Sequence, residues 1–459
     1  MSSNAWRFFR IFNTTDTYER LKVVLLAITF FLVIAAYTVV YDLKNAIFVS
    51  IVGKQYVPYA KMIGMFILIP AVLFYSFLVD RLQRHYLLYF YSITYALIGM
   101  ACVYFIGHPT IGLPNTEASP WRLFGWFFYF LVEGFAPFVV SVFWAFANSI
   151  NSPEGAKENY GILVTGSKMG GMMSAGLAWA WLVYRSSNSV ACDAINHQIL
   201  LGFFSFFMLS VAVMVYILIW KLPQRYLHGY EAVYRLEKKM EHEEQGNPGL
   251  FSGLKMLVQK PYILGIFGMV FFYEVLNSVL GYQRLEVTKT VASCVSDMSA
   301  EFYRQMFFMH LIGFFISVLG TNALLRRMGE RFCLLLIPVA SGLLLFYFWL
   351  TYTTNSLLWV FITLKSMNYA FAQPVRESLY IPTTKDVRFK SKSWVDAFGS
   401  KFARGMGSII NLLSDAVGQG WYFVFHGTIF GVLIGAWLGT ALLLGNRYVK
   451  AIRRNEIIG

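Results

Sequence analysis

Charge is what this sequence has least of. Asp, Glu, Lys and Arg make up 14% of its 459 residues, against about a quarter in soluble domains. That scarcity excludes the two or three soluble domains the length would otherwise suggest. The four cysteines, Cys102, Cys192, Cys294 and Cys333, form no CxxC pair and no metal-ligand spacing, so zinc-site and CxxC redox chemistry are not expected. Walker loops, zinc sets and nucleophile triads are also missing, which argues against soluble-enzyme catalysis and calls for no cofactor. The first apolar run starts near Leu21 with no small-residue cleavage site after it, and Asp16 and Glu19 argue against an organelle transit peptide. The chain therefore reads as mature and inserted in a bacterial-type inner membrane. Its net charge of +14 comes without a basic, aromatic-interleaved surface domain, so nucleic acid is not an expected partner.

What the sequence has in abundance is apolar length. Hydrophobic residues make up 57% and aromatics 18% of the chain. A membrane span needs about 20 apolar residues, and twelve runs qualify: 21–48, 57–79, 86–106, 121–149, 159–184, 198–220, 261–284, 302–325, 332–351, 356–381, 395–417 and 421–445. The expected fold is an all-α membrane protein with twelve transmembrane helices in two six-helix bundles, 1–220 and 259–459. They are joined by a hydrophilic connector, 221–258, with a short charged helix closed by Gly246, Pro248 and Gly249.

Loop charge orients these spans. Arg7, Arg10, Arg20 and Lys22 precede the first, Arg81 and Arg84 follow the second, and Arg447, Lys450, Arg453 and Arg454 follow the last. The alternate loops at 107–120 and 351–356 carry almost no positive charge, so both termini are expected in the cytoplasm.

The halves repeat weakly, as in transporters built from related bundles. At an offset of 233, Trp126, Phe128, Leu131, Phe138 and Val142 fall on Trp359, Phe361, Leu364, Phe371 and Val375, and Gly166-Ser167-Lys168 falls on Gly399-Ser400-Lys401. LVDRLQRHY at 78–86 sits opposite LLRRMGERF at 324–332. The first keeps a DRxxR core that resembles the loop between the second and third helices of major facilitator proteins.

Ionisable groups at membrane depth cost about 2.5–3.5 kcal/mol each on insertion scales, so those present are candidates for function. Lys44 ends the first span, Glu133 lies in the fourth among Phe130, Leu131, Phe135 and Phe138, Glu274 lies in the seventh, and Arg376 and Glu377 end the tenth. Lys44 has the alternative of snorkelling to the interface. Lys168, Lys401 and Arg404 stand beside Gly166, Gly399 and Gly405, a pattern suited to phosphate or to close helix packing. Asn411 and Asp415, one turn apart, read as a polar stripe facing a pore. Cys192 and Cys294 fall in loops on the side opposite the cytoplasm, where a disulfide between them is permitted.

The charge concentrates between Lys365 and Ser408, and this stretch resembles the nucleotide transporter family, the ATP/ADP translocases of plastids and intracellular bacteria. The matching residues are Pro374, Arg376, Glu377, Tyr380, Ile381 and Pro382, then Lys390, Lys392 and Asp396, then Arg404, Gly405 and Gly407. Asp42 and Lys44 match the family's first-span lysine, and Glu133 ahead of Phe143, Trp144, Phe146, Ala147 and Asn148 matches its membrane glutamate. Its seventh-span glutamate is matched by Glu274, with Glu286 of LEVTK as the alternative. Tyr41, Asn45, Gln373, Arg376 and Arg404 depart from the family pattern. The resemblance implies a twelve-helix carrier with a small-molecule substrate, a nucleotide or related metabolite, held by Lys44, Glu133, Glu274, Arg376, Glu377, Tyr380, Lys392, Lys401 and Arg404. It implies alternating access in a lipid bilayer, by exchange or proton coupling, and a monomer is expected to suffice.

Overall fold

The computed structural model describes residues 16–151, 153–185, 190–227, 257–319, 321–380, 382–383, 391, 394–417, 419–454 and 456–458. The described chain is mostly helical. Its helices are α1 (Thr17–Ile51), α2 (Val57–Arg81), α3 (Arg84–Ile106), α4 (Leu123–Phe135), α5 (Ser141–Ile150), α6 (Pro153–Tyr184) and α7 (Val190–Lys221). They continue as α8 (Gln224–Leu227), α9 (Pro261–Val291), α10 (Val295–Leu319), α11 (Thr321–Thr351), α12 (Thr354–Met367), α13 (Gln373–Ser378), α14 (Ser400–Ala416) and α15 (Gln419–Arg454). Among the described residues, seven stretches are long and apolar enough to cross a membrane, by length and composition. Most of the hydrophilic connector lies outside the described residues.

Local chemistry sets several helix ends. The Asp16 carboxylate accepts a hydrogen bond from the Tyr18 amide at 2.9 Å and caps α1. Gly53, at φ 118°, takes the left-handed turn that follows α1. Thr353 and Ser356 cap one another's backbone at the start of α12. The helix α10 begins at Val295, ahead of the expected span 302–325, and the non-helical backbone of Gly329, at φ 75°, falls between that span and the next, 332–351. The first turns of α10 are polar, yet the Asp193 carboxylate accepts the Val295 and Ser296 amides at 3.0 Å each, which lets the helix start before its apolar run.

The internal repeat has a structural counterpart. The helix α4 passes into α5 through a π turn at Ala136–Val140, and α12 passes into α13 through one at Asn368–Ala372. Pro137 and Pro374 accompany them. A proline has no amide proton to donate and its ring displaces the preceding carbonyl, so each helix widens locally instead of breaking. A third π turn, Trp394–Gly399, precedes α14, whereas its counterpart by the 233-residue offset lies inside the uninterrupted α6.

Contacts divide the chain into two compact units. The first comprises Met1–Gly53, Leu68–Gly246 and Ala292–Phe307, and the second Lys54–Ile67, Asn247–Val291 and Phe308–Gly459. In the first, α1 packs tightly on α6. A side chain at Gly166 would meet the Ala27 carbonyl at 3.0 Å, one at Gly170 would collide with the Phe31 carbonyl, and Ser174 donates to the Ala35 carbonyl at 3.0 Å. Lipid is as apolar as leucine, so such close approach and interhelical hydrogen bonds, more than hydrophobicity, hold these helices together. The second unit has a core of Tyr262, Leu276, Phe361, Val375 and Trp437, and a side chain at Gly407 would meet Ser278 Cβ at 2.6 Å.

The exchanged segments have specific anchors. In the first unit, the Tyr303 hydroxyl donates to the Val39 carbonyl at 2.6 Å, and His197 lies 2.9 Å from the Ser299 hydroxyl. In the second, Lys61 donates to the Ser278 carbonyl and hydroxyl at 3.4 and 3.3 Å.

Candidate functional site: paired charges on apolar helices

In the first unit, Lys44 on α1 and Glu133 on α4, 89 residues apart, form an ion pair. Lys44 is 3% exposed, which corrects the snorkelling alternative: its ammonium is turned inward, 4.9 Å from the ring centres of both Tyr41 and Tyr129. Each desolvated cation–π contact contributes up to about 2 kcal/mol. Together with the carboxylate, the two rings offset a burial cost of the order quoted for a lone lysine at membrane depth. The neighbouring Asp42 is fully buried and accepts a hydrogen bond from the Asn45 amide at 3.3 Å. Glu133 stands three residues before the π turn, where Tyr37 stacks on Phe135 at 5.6 Å.

The second unit is more basic and more open. Glu274 on α9 accepts Arg404 Nε at 2.9 Å and Arg404 Nη2 at 3.5 Å on its two oxygens, and lies 3.5 Å from the Asn277 amide nitrogen. Arg404 is about a third exposed. Arg376 lies beyond the π turn and donates back across it to Asn368 Oδ1 at 2.8 Å, within electrostatic reach of Glu274. Lys401 is partly exposed on the first turn of α14, Glu377 is exposed, and Tyr380 is buried. Lys392 lies outside the described residues.

Glycine serves two purposes here. Gly166, Gly170, Gly399 and Gly407 are packed against neighbours, as close helix approach requires, but a side chain at Gly405 would meet nothing within 4 Å. There is therefore room for a side chain at Gly405. Asn411 donates to the Ser278 carbonyl at 3.3 Å and Asp415 accepts the Tyr282 hydroxyl at 2.8 Å, both joining α14 to α9.

Sequence reasoning passed over further charges in the second unit. Lys54 pairs with Glu286 at 2.5 Å, so both glutamates considered for the seventh span have cationic partners. Arg284 on α9 and Lys365 on α12 are each buried against the Phe361 ring. The signal that flagged Glu133, a charge inside an apolar run, was equally present in LGYQRLEV and VFITLKSM.

The disulfide that the loop positions would permit is not formed, and all four cysteines are free thiols. Cys192 donates to the Arg185 carbonyl at 3.3 Å, and Cys294 accepts the Asp297 amide at 3.4 Å. Burial pushes the Cys294 thiol up to about 11.

Comparison with known proteins places this geometry. ADP,ATP carrier protein 3 of Rickettsia typhi is 22% identical over 89% of this chain and 91% of its own length. ADP,ATP carrier protein 1 of Chlamydia pneumoniae is 22% identical over 96% and 94%. The chloroplastic ADP,ATP carrier protein 2 of Arabidopsis thaliana is 22% identical over 95% of this chain and 76% of its own length. Among solved structures, a D-xylose-proton symporter superposes with a TM-score of 0.64 at 13% identity, covering 93% of this chain and 97% of that one. The nucleoside transporter NupG, as a D323A mutant, does so at 0.52 and 14%, covering 94% and 99%. At such identity the likeness is one of fold. The family profile described as TLC ATP/ADP transporter matches residues 120–448, most of the chain, and this protein belongs to that transporter family.

Proposed function

We propose that this carrier exchanges nucleotides of the ATP/ADP type across the membrane by alternating access. The observation that carries the proposal is the family match over residues 120–448, in a chain whose apolar helices hold the Lys44–Glu133 and Glu274–Arg404 pairs. The curated relatives named above are ADP,ATP carriers, and an exchanged polyanion suits this chemistry. Lys44, Arg376, Lys401 and Arg404 supply charge for phosphates, and guanidinium forks are the strongest donors for them. Glu133, Glu274 and Glu377 supply carboxylates for ribose hydroxyls or a proton, and Tyr380 and Lys392 complete the set. A carboxylate that must be matched by substrate before the carrier reorients gives obligatory exchange. The proposal includes twelve spans in two six-helix bundles, 1–220 and 259–459, working as one chain in the inner membrane with both termini cytoplasmic.

The test is uptake of labelled ATP into proteoliposomes preloaded with ADP. Saturable uptake that needs the internal nucleotide supports the proposal. Uptake driven by an imposed proton gradient without internal nucleotide would replace exchange with symport, and saturable transport of no nucleotide would overturn the proposal.

A further inference from the structure

Two helices of the first unit, α3 and α7, carry bulky apolar side chains on their exposed sides. On α3 these are Tyr86, Phe90, Ile93, Leu97, Met100 and Tyr104, and on α7 they are Phe206, Leu209, Val213, Tyr216 and Trp220. Each set recurs every three or four residues, so each forms one stripe along its helix. A side chain at Gly99 would meet Ser205 Oγ, and Gln198 Nε2 donates to the Val103 carbonyl at 2.9 Å, which makes the two helices antiparallel and fixes their register. Fifteen residues before Gly99 and fifteen after Ser205, Arg84 and Trp220 come level. Lys221 follows, exposed, with its ammonium 4.4 Å from the centre of the Trp220 ring. Arg84 is half-buried and already engaged within the protein, so Lys221 is the accessible cation of the two.

We propose that this end of the α3–α7 face seats an anionic phospholipid, its headgroup phosphate at Lys221 and Trp220 and its acyl chains along the two stripes. From Tyr86 to Tyr104 is eighteen residues, about 27 Å along a helix axis, close to the hydrocarbon thickness of about 30 Å. Tyrosine and tryptophan sit where such a face meets the headgroups, and a lysine there extends its ammonium into them. The stripe positions hold no glycine, alanine or serine, the small residues through which membrane helices pack on each other. On α6, by contrast, Gly166 and Gly170 receive α1. The α3–α7 face is therefore shaped for flexible acyl chains and not for a second copy of the chain. The sign of the charge then selects among lipids, because a basic rim attracts a headgroup of net negative charge more strongly than a zwitterionic one.

Lipid seating is independent of what the carrier transports, so it is read by binding. Thermal unfolding of the full chain in a neutral detergent is followed with dioleoylphosphatidylglycerol, with dioleoylphosphatidylcholine, and with sodium phosphate at matched ionic strength. Phosphatidylglycerol is expected to raise the wild-type unfolding temperature by at least about 2 °C more than phosphatidylcholine, as mass action requires of a ligand that only the folded state binds. Sodium phosphate should not reproduce that excess. Lys221→Gln should lose most of it, while Lys221→Arg should keep it, and so should Lys260→Gln, at an exposed lysine of the second unit. Equal stabilisation by the two lipids, the same excess with sodium phosphate, or an excess that Lys221→Gln retains or that Lys260→Gln also loses overturns the proposal. Light scattering covers the other occupant: a wild-type dimer that Leu97→Ser or Val213→Ser splits into monomers would assign the stripes to a second copy and overturn it too.

Discussion

The two units hold their membrane charges in different ways. In the first, Lys44 and Glu133 are paired under two tyrosine rings, with the lysine 3% exposed. In the second, Glu274 meets an arginine about a third exposed, beside a glycine with open space around it. Arg376, Arg284 and Lys365 add positive charge to the same unit. The first pair is enclosed by protein, whereas the second includes a partly exposed arginine in a unit with more positive charge. The difference teaches that a charge in a span is not one kind of feature.

The largest effect should come from the closed pair. Glu133→Gln is expected to abolish exchange, at least a hundredfold in rate, while the protein still inserts, because Tyr41 and Tyr129 continue to hold the ammonium. Removing one partner of a buried pair costs about 3–5 kcal/mol, so its unfolding temperature should also fall. Arg404→Lys, in the open pair, should instead weaken nucleotide affinity about tenfold, which is about 1.4 kcal/mol, with little change in unfolding temperature. Uptake kinetics and thermal unfolding on both variants check this. Equal stability losses would erase the distinction between closed and open.

A smaller effect sharpens the comparison through glycine. Gly170→Ala presses a methyl group into the Phe31 carbonyl, and overpacking of this kind costs about 1–3 kcal/mol. Gly405→Ala meets open space and should leave stability unchanged or raise it by up to about 1 kcal/mol through helix propensity. Its effect should fall on nucleotide affinity. Thermal unfolding of the two variants beside nucleotide half-saturation reads both, and comparable destabilisation would mean the space at Gly405 is filled.

The smallest effect concerns the Asp193 junction at the start of α10. A variant with Cys294 as its sole cysteine should alkylate slowly at pH 8 and faster with each unit of pH up to about 11, because the neutral thiol dominates below that value and only the thiolate reacts. A rate that levels off near pH 8.5, the ordinary thiol range, would show that the site is not buried as described.

Some of this was legible in the chain alone. Scarce charge and repeated apolar runs dictate membrane helices, since only helices or closed barrels satisfy backbone groups in lipid. Glu133 and Lys44 stood out because nothing apolar explains them. The motif from Pro374 to Gly407 carried the family resemblance, and the family profile bears it out. The 233-residue repeat anticipated corresponding positions that fold into π turns 232 residues apart.

Partners were not legible. Lys44 meets Glu133 across 89 residues and Arg404 meets Glu274 across 130, and no spacing rule joins side chains on helices so distant in sequence. The start of α10 depended on the Asp193 carboxylate, 102 residues away. Arg284 and Lys365 became a pair only through the ring of Phe361. The sequence by itself determined that this chain is a helical membrane protein and which residues are too costly to bury without cause. Tertiary structure alone decided which charges face each other and which glycines leave room, because an ion pair or a cleft depends on distances of a few ångströms between helices that the order of residues leaves unspecified.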